Sequence, residues 1–211
     1  SSRFRGKHKN YDKNWGNISA IVNLKKATNH MKYTEFQLGK KSIMYNGNHR
    51  IQTLHSLIKP ISYNIPDEAE RIHGISTEYA MKNGIHFSEY ADSLRFMIFD
   101  ADVVVAHNIE FDVLTIFAEM YRNGFLHRQH GSLYAGLDTI CTMKSTAGLL
   151  ELPKSEKHTY DSEYKYPTLS ELHTFLFGTD YAGKHSAYND TEALAKCFFE
   201  LTERQPLMYH A

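Results

Sequence analysis

Two aspartates and one histidine have the side chains that metal-dependent hydrolysis requires. Asp112 comes six residues after the end of the apolar run 103–106, and Asp190 comes five residues after His185. Carboxylate oxygens are preferred ligands of Mg²⁺ and Mn²⁺, and a histidine that titrates near neutral pH can take a proton from water. We therefore expect Asp112 and Asp190 to bind a metal ion and His185 to act as a general base.

The secondary structure predicted around these residues places them at element ends. The run 103–106 is typical of a strand buried on both faces, and residues 109–122 have the apolar spacing of a helix. Asp112 then lies in the first helical turn after the carboxyl end of a strand, where open α/β sheets place their chemistry. Asp190 is expected to start the last helix, with His185 in the preceding loop. A structural interpretation stays open, because helix N-termini also favour carboxylates.

The rest of the chain predicts an α/β fold with a mixed sheet and flanking helices. The strand patterns come first, and Asn46-Gly47 is a two-residue hairpin signal between two of them. We therefore expect an antiparallel three-strand meander, followed by alternating helices and strands. The predicted strands are 18–24, 34–45, 49–59, 103–106 and 137–143, the main helices are 65–73, 87–99, 109–122, 168–177 and 190–204, and 151–167 is a polar loop.

Length and composition predict one domain. The 211 residues are 42% apolar, which fits one core over 18–204 with a basic arm over 1–17 and a tail over 205–211. No apolar stretch has the length of a membrane span, and there is no signal-peptide pattern. Cys141 and Cys197 have no metal or disulfide spacing, so we expect an intracellular, reducing compartment.

Charge is distributed unevenly along the chain. The net charge is zero, so there is no overall attraction to nucleic acid, but residues 1–32 carry eight Lys/Arg and one acidic residue. The arm is either a solvated terminus or a segment that contacts phosphates or a partner. Its candidate nucleic-acid contacts are Arg3, Arg5, Lys7 and Lys9.

Several short motifs, in order, resemble those of the DEDDh (DnaQ-like) 3′–5′ exonucleases, a branch of the ribonuclease H-like fold. The resemblance covers about residues 18–204, and its specificity comes from the order of the motifs. They are Leu57-Ile58-Lys59-Pro60, Ile72-His73-Gly74-Ile75-Ser76, Ala106-His107-Asn108 with Phe111-Asp112, Asp138-Thr139, Pro167-Thr168-Leu169-Ser170-Glu171-Leu172, and His185-x-Ala187-x-x-Asp190.

This resemblance implies a ribonuclease H-like fold and a two-metal mechanism on phosphodiesters, with Mg²⁺ or Mn²⁺. It makes Asp112 the second-motif acid, Asp190 the third-motif acid and His185 the catalytic base. It also implies a 3′ end or single strand of DNA or RNA as the ligand, with His107 and Asn108 as further nucleic-acid contacts.

The chain departs from the family at the first motif. The family has Asp-x-Glu at the end of the first strand, and the corresponding positions here are Asn23 and Lys25. With Lys25 beside the two aspartates the site would have a charge of about −1, against about −4 for four acids. We expect two divalent cations to be held poorly, and Lys25 to lie within ion-pair distance of Asp112 or Asp190. In a second alignment the motif was lost upstream of Ser1, which would delete a central strand.

Three functions follow from these alternatives. The first is an exonuclease-like domain that has lost its activity and serves as a nucleic-acid-binding or scaffolding subunit, without a metal cofactor, in a larger nucleoprotein assembly. The second is an active 3′–5′ exonuclease that uses Asp112, Asp190 and His185 with Mg²⁺ or Mn²⁺. The third is a protein-interaction domain with no affinity for nucleic acid at any salt concentration. None of them involves a membrane.

Overall fold

The computed structural model describes residues 22–23, 42–46, 49–61, 63–99, 101, 103–125 and 138–204. The predicted basic arm over 1–17, the tail over 205–211 and Lys25 lie outside these residues. The chain forms two compact units, of which one contains the described residues of 23–103 and 113–138, and the other contains Val22 and those of 104–112 and 139–204. Among the described residues, no helix combines the length and apolar character that crossing a bilayer requires.

The first unit contains a β-hairpin. Strand β2 (Ser42–Asn46) pairs antiparallel with β3 (His49–Thr53), and Asn46 lies opposite His49. The predicted hairpin is therefore confirmed, but the predicted Asn46-Gly47 turn is wrong by one residue because Asn46 is still paired. The predicted strand over 49–59 is also too long, since Ile58 makes only an isolated parallel bridge with Ile85.

Three helices follow in the first unit: α1 (Asp67–His73), α2 (Thr77–Asn83) and α3 (Phe87–Phe99). Helix α1 has acidic residues in its first turn and ends at Gly74, which has the left-handed φ of 74° common after helices. The Ser76 hydroxyl accepts a hydrogen bond from the Tyr79 backbone N–H and caps α2. Ile65, Ala69 and Ala80 form a small buried cluster over these helices.

The second sheet has the strand order β1-β4-β5. Its strands are β1 (Val22–Asn23), β4 (Val104–Ala106) and β5 (Thr139–Cys141), and β4 and β5 are parallel with Ala106 opposite Cys141. The expected three-strand meander is not confirmed: the described residues place β1 in the sheet of β4, and most of the first two predicted strands lies outside the described residues.

Helices complete the second unit. Helix α4 (Ile109–Arg122) starts there, and α5 (Thr142–Ser145), α6 (Ala147–Leu150), α7 (Leu169–Phe177) and α8 (Ala187–Arg204) follow in chain order. Two expectations need correction: the predicted strand over 137–143 becomes helical at Thr142, and the last helix begins three residues before Asp190. Leu172, Leu176, Cys197 and Leu201 pack as the core between α7 and α8.

Candidate active site

Asp112 is buried in the first turn of α4, at the carboxyl end of β4. The strand residues Val105 and Ala106 are fully buried, and Asn108 turns the chain with a left-handed φ of 80°, a conformation that asparagine adopts more readily than most residues. The Phe111 N–H then donates to the Asn108 carbonyl at 2.9 Å. The predicted strand-to-helix placement of Asp112 is therefore confirmed, and only 1% of the residue is exposed.

The environment of Asp112 opposes its ionisation. Burial raises the pKa of this carboxyl well above its ordinary range; the hydrogen bond from the Asp112 backbone N–H opposes this, and the negative charge of Asp190, the smallest of the three effects, adds to it. Its Oδ1 atom is buried and has no hydrogen-bond partner among the described residues. A buried carboxyl oxygen without a partner is costly, and strongly shifted carboxyls are concentrated at functional sites.

Asp190 is the second buried carboxylate of the site, and it is better satisfied than Asp112. Its Oδ1 accepts a hydrogen bond from the Tyr181 hydroxyl at 2.9 Å and another from the His185 backbone N–H at 3.2 Å. Burial and the contact with Asp190 raise the pKa of Tyr181, so its hydroxyl stays protonated as the donor. The negative charge of Asp190 contributes to the raised pKa of Asp112, so the two predicted acids lie within electrostatic range of each other in the same unit.

His185 lies in the loop just before α8. It has a left-handed φ of 66°, which is uncommon outside glycine, and it is exposed. Its backbone contact with Asp190 brings the predicted base into the same site. Its role as a general base remains a prediction.

His107 connects three segments at this edge of the sheet. Its Nδ1 lies 3.0 Å from the Thr142 hydroxyl and its Nε2 lies 2.9 Å from the Pro167 carbonyl. Because a carbonyl only accepts, Nε2 carries the proton and the Thr142 hydroxyl donates to Nδ1. Burial lowers the pKa of His107, although its hydrogen bond to Pro167 and the charge of Glu171 oppose this. Both ring nitrogens are thus used inside the protein, and the predicted contacts of His107 and Asn108 with nucleic acid remain untested.

The first motif is described only in part. Asn23 is a residue of β1, the neighbour of β4 in the sheet, whereas the ion pair predicted for Lys25 lies outside the described residues, as do the contacts predicted for Arg3, Arg5, Lys7 and Lys9. Within the described part of the chain, no group of three or more His, Cys, Asp or Glu side chains could hold a metal ion.

Tyr181 is the site residue that sequence reasoning missed. No spacing rule relates it to Asp190, because their contact depends on an irregular loop in which two of the residues between them have a left-handed φ, Gly183 at 70° and His185 at 66°. The available signal was a tyrosine in a glycine-containing loop, nine residues before an acid at a helix start.

Comparisons with known proteins define the class. The family model for exonucleases of the RNase T type matches residues 27–198, so the chain belongs to this exonuclease family, and the predicted resemblance to the DnaQ-like exonucleases is confirmed. The match begins after Asn23 and Lys25, so it does not bear on the first motif. A comparison with curated proteins gives no match.

A solved structure with a similar fold is the zinc-bound form of E. coli ExoI in complex with single-stranded DNA. The similarity has a TM-score of 0.52 at 18% sequence identity, and it covers 72% of this chain and 33% of the ExoI chain. This chain therefore corresponds to about a third of the length of that protein. At this identity the similarity concerns the fold, and it agrees with the predicted ribonuclease H-like α/β class.

Proposed function

We propose that this chain is an exonuclease-family domain that has lost 3′–5′ exonuclease activity and binds a 3′ end or single strand of DNA or RNA. The observation that carries the proposal is the number of acids. Two buried acids, Asp112 and Asp190, are the candidate ligands, and the positions expected to supply two more acids are occupied by Asn23 and Lys25. The place of β1 beside β4 supports the assignment of Asn23 to the first-motif strand.

The charge of the site explains why activity would be lost. Asp112 and Asp190 contribute about −2 when both are ionised, and Lys25 would reduce the total to about −1. Two divalent cations would then be almost uncompensated, because an amide such as that of Asn23 adds no charge. Loss of one bridging carboxylate from a two-metal site should cost several kcal/mol of transition-state stabilisation, which is about a thousandfold or more in rate.

The two carboxylates nevertheless fit a divalent cation in their chemistry. The partnerless Oδ1 of Asp112 is a hard oxygen atom that a cation would satisfy, so Asp112 and Asp190 are the residues that would hold one. Such an ion would polarise a water molecule and neutralise phosphate charge. His185 is our candidate for the group that would take a proton from water, because its backbone N–H is hydrogen-bonded to Asp190.

An active exonuclease is the second candidate function, and one observation favours it. The buried Oδ1 of Asp112 has no partner among the described residues, a local cost in stability of the kind that natural proteins retain mainly at functional sites. In this case a single cation held by Asp112 and Asp190, with His185 as the base, would support a slow reaction.

Nucleic-acid binding by this chain rests on two supports. The ExoI structure with a similar fold contains single-stranded DNA, and the first 32 residues of this chain have eight basic side chains and one acidic side chain. Basic side chains bind the phosphate backbone without sequence preference. The arm is therefore the part of the chain that we assign to phosphate contacts.

Degradation of 5′-labelled single-stranded DNA and RNA, with Mg²⁺ and with Mn²⁺, tests the loss of activity. We expect the wild-type chain and Asp112→Ala to leave the oligonucleotides intact to the same extent. Degradation by the wild type that Asp112→Ala abolishes would contradict the proposal and establish the second candidate.

Fluorescence anisotropy of the same oligonucleotides at increasing salt tests binding. Replacing Arg3, Arg5, Lys7 and Lys9 with alanine should reduce the slope of log K against log salt by up to about 3, because each phosphate contact on a single strand contributes about 0.7. The matched control is Lys157→Ala, an exposed lysine outside the arm, which should leave the slope unchanged. If the wild type does not bind even at low salt, the chain is a protein-interaction domain.

A further inference from the structure

One oxygen of Asp190 is saturated by a single loop. The Tyr181 hydroxyl and the His185 backbone N–H both donate to Oδ1, at 2.9 and 3.2 Å. A carboxylate oxygen has about two lone-pair sites, so these two donors leave no site on Oδ1 for a further ligand. No hydrogen bond to Oδ2 occurs within the described part of the chain, and Oδ2 is therefore the atom of Asp190 that remains for a cation.

Whereas the hydroxyl of Tyr181 is bonded to Asp190, its ring is held in place by packing against other aromatic rings. It lies 5.6 Å from the ring of His173, measured between centroids, and His173 is itself 4.7 Å from the ring of Phe177. The buried His173 donates from Nδ1 to the Thr179 carbonyl at 2.7 Å. The Tyr181 hydroxyl thus reaches Asp190 from a ring that its neighbours fix.

The loop that carries Tyr181 is braced at both ends. Asp180 accepts the Tyr181 backbone N–H at 2.8 Å and forms an ion pair with Lys184. The Asn189 side chain donates to the Gly183 carbonyl at 3.0 Å, and a Cβ atom at Gly183 would come within 2.1 Å of that side chain. These contacts fix the loop before any cation binds, which is the arrangement that gives a hydrogen bond to a metal ligand its effect.

We propose that Tyr181 is a positioning residue for the metal ligand Asp190: its hydroxyl fixes the carboxylate so that Oδ2 alone is presented to a divalent cation. The inference rests on the assignment of Asp112 and Asp190 as the metal ligands in the proposed function, and it holds whether or not the chain cuts nucleic acid. Loss of a hydrogen bond that orients a ligand typically weakens metal binding by about 10- to 100-fold. Tyr181→Phe should therefore weaken Mn²⁺ binding by about tenfold or more.

The test is Mn²⁺ binding by the full chain. Binding is measured as the decrease in the electron paramagnetic resonance signal of free Mn²⁺. Four proteins are titrated: the wild type and Tyr181→Phe, each without and with the double substitution Asn23→Asp/Lys25→Glu. The double substitution supplies the two first-motif acids and should give a stronger site. The matched control is Tyr90→Phe, because the partly buried Tyr90 hydroxyl donates to the Leu54 carbonyl at 3.2 Å and not to a carboxylate. Thermal unfolding of the metal-free proteins accompanies each titration.

We expect Tyr181→Phe to raise the Kd for Mn²⁺ about tenfold in the background with the added acids, and Tyr90→Phe to leave it unchanged. Equal or tighter Mn²⁺ binding by Tyr181→Phe would overturn the inference, as would a lower melting temperature with unchanged affinity, which is the signature of a structural role alone. Absence of Mn²⁺ binding in both backgrounds would also overturn it. Nuclease activity of the wild type would contradict the proposed function but leave this affinity ratio unaffected.

Discussion

Replacement of Asp112 by asparagine should stabilise the metal-free protein at neutral pH. The carboxyl is buried, its Oδ1 has no partner among the described residues, and the charge of Asp190 opposes its ionisation. Asparagine has nearly the same shape and carries no charge. An amide leaves a polar atom without a partner at the same place, so the gain comes from removing the charge, which makes a buried unsatisfied group more costly; we expect Asp112→Asn to gain about 1–3 kcal/mol of unfolding free energy at pH 8.

The pH dependence of this gain has a definite sign. Because folding raises the pKa of Asp112, the folded state binds the proton more tightly than the unfolded state. The stability of the wild type is therefore undiminished below about pH 4, the ordinary pKa of an aspartate, and is lost as the pH rises through the folded pKa. The difference between Asp112→Asn and wild type should be small at pH 4 and largest at pH 8.

Thermal and urea unfolding in the presence of a chelator measure this difference. A gain of 1 kcal/mol corresponds to about 2–4 °C for a chain of this size, so the expected shift at pH 8 is about 2–12 °C. The control is Asp161→Asn, an exposed aspartate whose replacement should change the unfolding free energy by less than about 0.5 kcal/mol. Equal or lower stability of Asp112→Asn at pH 8 would refute the electrostatic account of the site.

Three further predictions concern the unit that contains the site. Folding lowers the pKa of His107, so the unfolded state takes up the proton first. The free energy of unfolding should therefore fall as the pH drops below about 6.5. Urea unfolding between pH 7.5 and 5.5 should show a smaller fall for His107→Gln. Leu172 is fully buried, and Leu172→Ala should cost about 3–5 kcal/mol in urea unfolding, whereas replacement of the half-exposed Phe175 by alanine should cost far less. Thr168→Ala removes the capping box at the start of α7 and should cost about 1 kcal/mol by the same measurement.

Local signals predicted the helices well. The amphipathic pattern gave helices over 87–99 and 109–122 with the bounds that the structure has, and the predicted helix over 168–177 matches α7 to within one residue. These signals work because capping and helical periodicity depend on residues within a few positions of each other. The strands were predicted less well, since the membership of β1 in the sheet of β4 depends on contacts with residues far along the chain.

The candidate site was predictable in its residue types but not in its details. Asp112 was found from its place after a strand and Asp190 from its place at a helix start, and both are buried in the same unit. The contact of Tyr181 with Asp190 was not predictable, because it depends on a loop in which His185 has a left-handed φ. The two bonds of His107 were also missed, since Thr142 and Pro167 are 35 and 60 residues away in sequence.

In our proposal, the acids missing at positions 23 and 25 account for the loss of nuclease activity. The most direct measurement is Mn²⁺-dependent degradation of a 5′-labelled single strand by Asn23→Asp/Lys25→Glu, beside the wild type and the same double variant with Asp112→Ala. The account predicts stepwise shortening from the 3′ end by the double variant alone. Shortening by the wild type at a rate equal to that of the double variant would contradict it.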